Sequence, residues 1–148
     1  QLASISYGNA VAEIRIDLIA NCDLARLKKG AKCPLIFTLR SQSEGGKFSG
    51  NDYLKLLLQY AELQPDYLDV EHTVPLEFIH TLRRTHPKIK LILSYHNFHA
   101  FPLLDAVYEK MKHFPAEIYK IAVKVDSTLQ SLAILEWMHR HPRSLVIG

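Results

Sequence analysis

Short apolar stretches alternate with longer amphipathic stretches along the 148-residue chain. Four stretches carry apolar residues at helical spacing, at residues 52–63, 75–86, 102–114 and 127–141. Six stretches have the character of strands, at residues 13–17, 34–41, 67–71, 89–96, 118–125 and 145–148. Successive strands therefore start about one βα unit apart, which predicts a parallel α/β sheet with right-handed crossovers.

The faces of the strands favour a barrel over an open, doubly wound sheet. In residues 13–17, Glu13, Arg15 and Asp17 share one face, and Ile14 and Ile16 share the other. The strands at 67–71 and 118–125 repeat this alternation. A strand covered by helices on both faces should be apolar on both, whereas a barrel strand can turn a polar face toward the interior below a catalytic mouth. The pattern predicts a (β/α)8 TIM barrel.

The length of the chain suits one domain but falls short of a complete barrel. A full barrel has eight strands in about 250 residues, and about six strands are predicted here. We therefore expect residues 1–148 to form a single, apparently truncated barrel domain.

Composition narrows the classes of partner. The net charge is only +3, and basic residues are interspersed with acidic ones, so no nucleic-acid partner is expected. No apolar stretch reaches the roughly 18 residues of a membrane span, so no membrane partner is expected either. Cys22 and Cys33 are isolated, which predicts free thiols in a reducing, cytoplasmic environment.

Two residues on neighbouring predicted strands suggest covalent chemistry. Lys120 faces the predicted interior, where desolvation lowers the pKa of a lysine, and a neutral amine can form a Schiff base with a carbonyl. His96 ends the preceding strand and suits proton transfer. The alternatives are a salt-bridged lysine and a core histidine. Lys124 faces the same way as Lys120 and is the rival amine.

A loop motif adds a second group of polar residues. In "TLRSQSEGG", residues 38–46, Arg40 ends a strand and Glu44 precedes two glycines. An arginine fork suits substrate oxygens, the carboxylate could orient an imidazole, and the glycines allow a tight loop. His96 and His99, in "HNFH", lack the helical context of an HExxH motif, so no metal site is expected.

Five motifs occur in one order along the chain: "EIRID", "FTLRSQSEGG", "YLDVE", "LSYHNF" and "YKIAV". Together they resemble type I 3-dehydroquinate dehydratase, the Schiff-base class of the shikimate pathway. The resemblance implies a (β/α)8 barrel and a hydro-lyase that converts 3-dehydroquinate to 3-dehydroshikimate by syn elimination, a step toward chorismate and the aromatic amino acids.

The resemblance also implies residue roles. Lys120 would form the Schiff base with the C3 ketone. His96 would remove the C2 proton and assist departure of the C1 hydroxyl, and Glu44 would orient His96. The implied substrate-binding residues are Glu13, Arg15 and Arg40, with Asp69 as a further member of the network.

Further expectations follow from the same resemblance. No metal or external cofactor is needed, the partner is the small-molecule substrate, and a homodimer is expected by association with the family. The chain could come from a fusion with shikimate dehydrogenase. The family's carboxylate-binding arginine would lie beyond residue 148, so this chain by itself is expected to hold only part of the substrate cradle. The alternatives are another Schiff-base barrel enzyme, such as a class I aldolase, and a non-catalytic barrel fragment.

Overall fold

The computed structural model describes residues 10–148, in which strands and helices alternate. The strands are β1 Ala12–Arg15, β2 Leu35–Thr38, β3 Tyr67–Glu71, β4 Lys90–Asn97, β5 Ile118–Val123 and β6 Ser144–Ile147. The α-helices are α1 Leu24–Gly30, α2 Tyr53–Glu62, α3 Leu76–Thr85, α4 Leu104–Met111 and α5 Thr128–Arg140. Residues 1–9 of the predicted domain 1–148 lie outside the described part.

All six strands form one parallel sheet in the order β1-β2-β3-β4-β5-β6. A doubly wound sheet reverses its strand order at a switch point, and this sheet has no such reversal within the described residues. The predicted six parallel strands are thus confirmed.

A contact across the sheet shows that it is curled. Glu13 lies on β1 and Lys120 on β5, yet Nζ of Lys120 is 3.4 Å from Oε1 of Glu13. In a flat sheet, four strand spacings of about 4.8 Å would separate these strands by about 19 Å. The six strands therefore form a curled half-barrel, and the predicted barrel-type fold is confirmed.

The two faces of this half-barrel differ as the alternation of residues predicted. The outer face carries Phe37, Leu68, Val70, Leu91 and Ile121, each at most 2% exposed. These side chains pack in the same core cluster as apolar residues of the helices. Burial of each such side chain contributes about 1.5–3 kcal/mol to stability, so the outer face holds the helices while the inner face is left for polar residues.

Three strands end earlier than the sequence predicts. β1 ends at Arg15, and Asp17 lies in a 3-10 turn, Ile16–Leu18, because its carboxylate accepts backbone N–H groups of Arg40 and Lys47 instead of continuing the strand. β2 and β5 are likewise shorter than predicted, ending at Thr38 and Val123. The alternation of polar and apolar residues does not indicate the residue at which a strand ends.

Two helical features also differ from the prediction. α1 was not predicted, because it is only seven residues long and rich in lysine and arginine. Asp23 caps it by accepting the N–H of Arg26 at 2.9 Å. α4 begins at Leu104, after Pro102 instead of at it.

Within residues 10–148, no helix combines the length and the apolar character needed to cross a membrane. Cys22 is exposed and Cys33 half-buried, and both are free thiols.

Candidate active site

The register of the parallel strands brings polar residues together on the inner face. Glu71 of β3 lies opposite Ser94 of β4, and Ser94 lies opposite Lys120 of β5. His96 lies two residues beyond Ser94 on β4, opposite Ala122, and is therefore closer to the carboxyl ends of the strands. In barrels this is the end that carries the reaction site, so the residues converge where chemistry is expected.

Lys120 lies between two carboxylates. The residue is 8% exposed, and its Nζ is 3.3 Å from Oδ2 of Asp69 and 3.4 Å from Oε1 of Glu13. The sequence predicts a desolvated amine, whereas in the structure two carboxylates compensate its charge and can accept its proton. The rival, Lys124, lies beyond β5, is half exposed and pairs with Asp126 at 2.9 Å.

His96 is held by Glu44. Nδ1 of His96 is 2.8 Å from Oε2 of Glu44, and Glu44 is only 5% exposed. Burial by itself would raise the pKa of Glu44, but the neighbouring imidazoles of His72 and His96 outweigh burial and lower this pKa to about 2. Glu44 is therefore a fixed anion beside the imidazole.

The two glycines give the loop the shape that delivers Glu44. Gly45 ends the 3-10 turn Gln42–Glu44 with a φ of 78°, the left-handed region that glycine adopts freely. A Cβ on Gly46 would lie 2.1 Å from the carbonyl oxygen of Arg40, and one on Gly45 would lie 2.3 Å from the ring of Phe98. Gly46 therefore leaves no room for a side chain, because the atom that a Cβ would meet is backbone, whereas at Gly45 it is the positive φ that favours glycine.

Arg40 is buried, at 2% exposure, and its terminal nitrogens face inner-face residues. Nη2 donates to Oδ1 of Asp69 at 2.8 Å, and Nη1 donates to Oγ of Ser94 at 2.8 Å. Nη1 also lies 3.5 Å from Oε1 of Glu71. Arg40 thus holds the two buried carboxylates in place, and its role in substrate binding stays a prediction.

Glu13 and Arg15 lie on β1 at the edge of the sheet. Oε1 of Glu13 accepts the hydroxyl of Thr38 at 2.7 Å, and the guanidinium of Arg15 donates to Asp17 at 2.9 and 2.8 Å. The hydrogen bond to Asp17 raises the pKa of Arg15. Arg15 is partly exposed and remains a cation there, so its predicted contact with substrate stays open.

Three further residues, which the sequence does not assign to the site, take part in these contacts. Ser94 is fully buried, donates to Oδ1 of Asp69 at 2.6 Å and precedes His96 by two positions, so the alternation could have identified it. Glu71 accepts both the N–H and the hydroxyl of Ser41 at 2.8 Å and so connects β3 to the loop that follows β2. His72 approaches Glu44 from a loop, where no periodic signal exists.

The arrangement can perform two kinds of chemistry. A buried amine beside two carboxylates can release a proton and attack a carbonyl, and an imidazole oriented by a carboxylate can move protons at a carbon nearby. Among residues 10–148, no group of three or more histidine, cysteine, aspartate or glutamate side chains is placed to hold a metal ion.

The chain is similar in sequence to known proteins. The sequence is 32% identical over 151 residues to 3-dehydroquinate dehydratase of Methanococcus vannielii, covering 97% of this chain and 68% of that protein. It is 37% identical over 125 residues to the shikimate biosynthesis protein AroDE of Chlamydia pneumoniae, covering 82% of this chain and 25% of that protein.

A solved structure shares the fold. Dehydroquinate dehydratase and shikimate dehydrogenase from S. pombe AroM superposes with a TM-score of 0.76 at 20% sequence identity, over 90% of this chain and 30% of that one. The chain thus spans only part of the proteins that it matches. The sequence model of type I 3-dehydroquinase matches residues 1–147, and the chain belongs to the type I 3-dehydroquinase family.

Proposed function

We propose that this chain carries the catalytic centre of a 3-dehydroquinate dehydratase that works through a Schiff base on Lys120. One observation carries the proposal. The buried amine of Lys120 on β5 lies 3.3 Å from Asp69, and His96, on the adjacent strand β4, lies 2.8 Å from Glu44. Family membership and the names of the relatives support the same substrate.

The first stage joins Lys120 to the substrate. Asp69 or Glu13 accepts a proton from the ammonium, and the neutral amine attacks the C3 ketone to give a carbinolamine. Loss of water from the carbinolamine leaves a cationic imine. This cation withdraws electrons from C2 and so acidifies the C2 proton.

The second stage is the elimination. His96 takes the proton from C2, and the electron pair of that bond moves into the imine to form an enamine. The enamine electrons then expel the C1 hydroxyl, which leaves as water with the proton from His96. Because one imidazole handles both groups, they leave from the same face, which is a syn elimination. Water hydrolyses the product imine, restores Lys120 and releases 3-dehydroshikimate, so one water is lost overall.

In both stages of the reaction, Glu44 orients the imidazole of His96. Its anion fixes Nδ1 of His96, so that Nε2, on the other side of the ring, is the nitrogen that exchanges the proton. It also stabilises the imidazolium that forms between the two transfers. No external cofactor enters any of these steps.

The remaining expectations are also proposals. The partner is the small-molecule substrate, gripped in part by Glu13, Arg15 and Arg40. A shikimate dehydrogenase accompanies the dehydratase in the S. pombe structure named above, which supports a similar fusion here. Placement in the shikimate pathway rests on the family. The homodimer and the cytoplasmic location stay predictions.

The test is turnover of 3-dehydroquinate by the full natural polypeptide that carries this chain, followed by ultraviolet absorbance of the conjugated enone and by product mass. Replacement Lys120→Ala should abolish turnover, whereas Lys124→Ala, at the exposed rival amine, should leave it within about twofold. Activity that survives Lys120→Ala would overturn the proposal. Cleavage of sugar phosphates in its place would favour an aldolase, and inactivity toward every carbonyl substrate would favour the non-catalytic fragment.

A further inference from the structure

Glu44 is approached by a second imidazole besides that of His96. Nδ1 of His72 lies 3.4 Å from Oε1 of Glu44, while Nδ1 of His96 lies 2.8 Å from Oε2. Each carboxylate oxygen therefore faces its own histidine. The two histidines come from successive strand ends, since His72 directly follows β3 and His96 lies near the end of β4.

His72 is fixed in this place by contacts other than Glu44. Its backbone N–H donates to the carbonyl oxygen of Ser94 at 2.8 Å, which extends the β3–β4 ladder by one residue. Its ring meets the ring of Tyr95 edge-on, with centroids 5.0 Å apart. These contacts position the imidazole without any help from the carboxylate.

The remaining side of His72 faces a cavity of about 310 Å³ between β4 and α4, and Lys110 is the charged residue among its lining. The titratable groups around the imidazole are therefore Glu44, Tyr95 and Lys110. Nδ1 of His72 is buried and makes no hydrogen bond among the described residues, since its 3.4 Å approach to Glu44 lacks the alignment of one. Nδ1 of His72 therefore has no better partner among the described residues than Oε1 of Glu44, and a small shift would join the two atoms.

We propose that His72 is a positioning residue for the His96–Glu44 pair, holding Glu44 by its second oxygen and sharing the charge that Glu44 otherwise offers to His96 alone. The inference rests on the proposed function and deepens it. When His72 is neutral it steadies the carboxylate. When it is protonated it competes with His96 for the same negative charge, so that His96 keeps its basic form to lower pH.

Two substitutions separate these two effects. In His72→Asn the side-chain amide nitrogen can occupy about the position of Nδ1, so it can steady Glu44 but cannot take up a charge. In His72→Phe the ring and its contact with Tyr95 remain, but both nitrogens are lost. Circular dichroism on each variant checks that the fold is retained.

The expected results differ for rate and for pH profile. His72→Phe should lower kcat about tenfold with KM little changed, and His72→Asn should restore kcat to within about threefold of wild type. In both variants the acidic limb of the kcat/KM profile should move to higher pH by about half a pH unit, because no cation competes for Glu44. An acidic limb that stays in place in His72→Asn, or a full rate in His72→Phe, would overturn the proposal.

A titration that needs no turnover separates this inference from the proposed function. In ¹⁵N-histidine-labelled protein, the ring signal of His96, assigned by its loss in His96→Asn, should titrate at higher pH in His72→Asn than in wild type. An unchanged titration would refute the role of His72 whether or not the protein dehydrates 3-dehydroquinate. Conversely, a shifted titration in a protein without turnover would refute only the proposed function.

Discussion

Nδ1 of His96 lies 2.8 Å from Oε2 of Glu44, although 52 residues separate them along the chain. One residue comes from a strand end and the other from a glycine-bounded turn after a different strand. The sheet brings these two elements together because β2, β3 and β4 are neighbours in it. The pairing fixes the orientation of the imidazole of His96 at the strand end.

Loss of the charge on Glu44 should slow the reaction but leave substrate binding in place. We expect Glu44→Gln to lower kcat about 100-fold, because the amide cannot stabilise an imidazolium as an anion does. Steady-state kinetics with 3-dehydroquinate measures this. Glu109→Gln, at an exposed glutamate paired with Lys112, is the matched control and should behave as wild type. Equal rates for the two variants would remove Glu44 from the mechanism.

The lowered pKa of Glu44 predicts how stability changes with acidity. Its folded pKa of about 2 lies below the ordinary value of 4.5, so its contribution is complete above about pH 4.5 and is lost as the pH falls toward 2. Urea unfolding of wild type and Glu44→Gln at several pH values measures the difference. The difference between their free energies of unfolding should shrink as the pH falls from about 4.5 toward 2. A difference that stays constant or grows would contradict a charged Glu44 in the folded protein.

Asp69 should be among the costliest inner-face residues to neutralise. It is 1% exposed and contacts Arg40, Ser94 and Lys120. Asp69→Asn leaves two buried cations short of an anion, and we expect a loss of about 3–5 kcal/mol in the free energy of unfolding.

The control for Asp69 is a surface ion pair of similar composition. Asp126 pairs with Lys124 at 2.9 Å, and both side chains are at least half exposed. Asp126→Asn should therefore cost about 0–1 kcal/mol. Equal losses for the two variants in urea unfolding would show that the inner network contributes no more than a surface pair.

The glycine loop makes a steric prediction. Gly46→Ala places a methyl group 2.1 Å from the backbone oxygen of Arg40, and we expect a cost of about 1–3 kcal/mol and a displaced Glu44. Gly30→Ala is the control, because that Cβ meets nothing within 4 Å at the end of α1. Alanine favours a helix, so Gly30→Ala should be neutral or stabilising. Thermal unfolding distinguishes the two, and a neutral Gly46→Ala would contradict the packing described.

Much of the fold could be predicted from residue alternation alone. The polar–apolar period of two in residues 67–71 assigned Asp69 and Glu71 to one face and Leu68 and Val70 to the other, and the structure has them so. The period works here because helices cover one face and the inner site occupies the other. The same alternation predicted that Lys120 faces the interior. In the structure Lys120, on β5, lies on the inner face together with Glu13 of β1.

The pairings within the site were less accessible. Nothing in the sequence indicates that Arg40 would be bound by Asp69 and Ser94, because such contacts depend on the strand register and on the curl of the sheet. The position of His72 could not be predicted for a different reason. It follows β3 in a turn, where neither helical nor strand periodicity says which way a side chain points.

Borohydride reduction in the presence of 3-dehydroquinate tests whether Lys120 forms a Schiff base with the substrate. The full natural polypeptide that carries this chain is incubated with substrate and reductant, and its intact mass and peptide map are recorded. We expect a ligand-sized mass increase on the peptide that contains Lys120, absent in Lys120→Ala and retained in Lys124→Ala. Turnover of the substrate with no adduct, or an adduct on Lys124 instead, would contradict it.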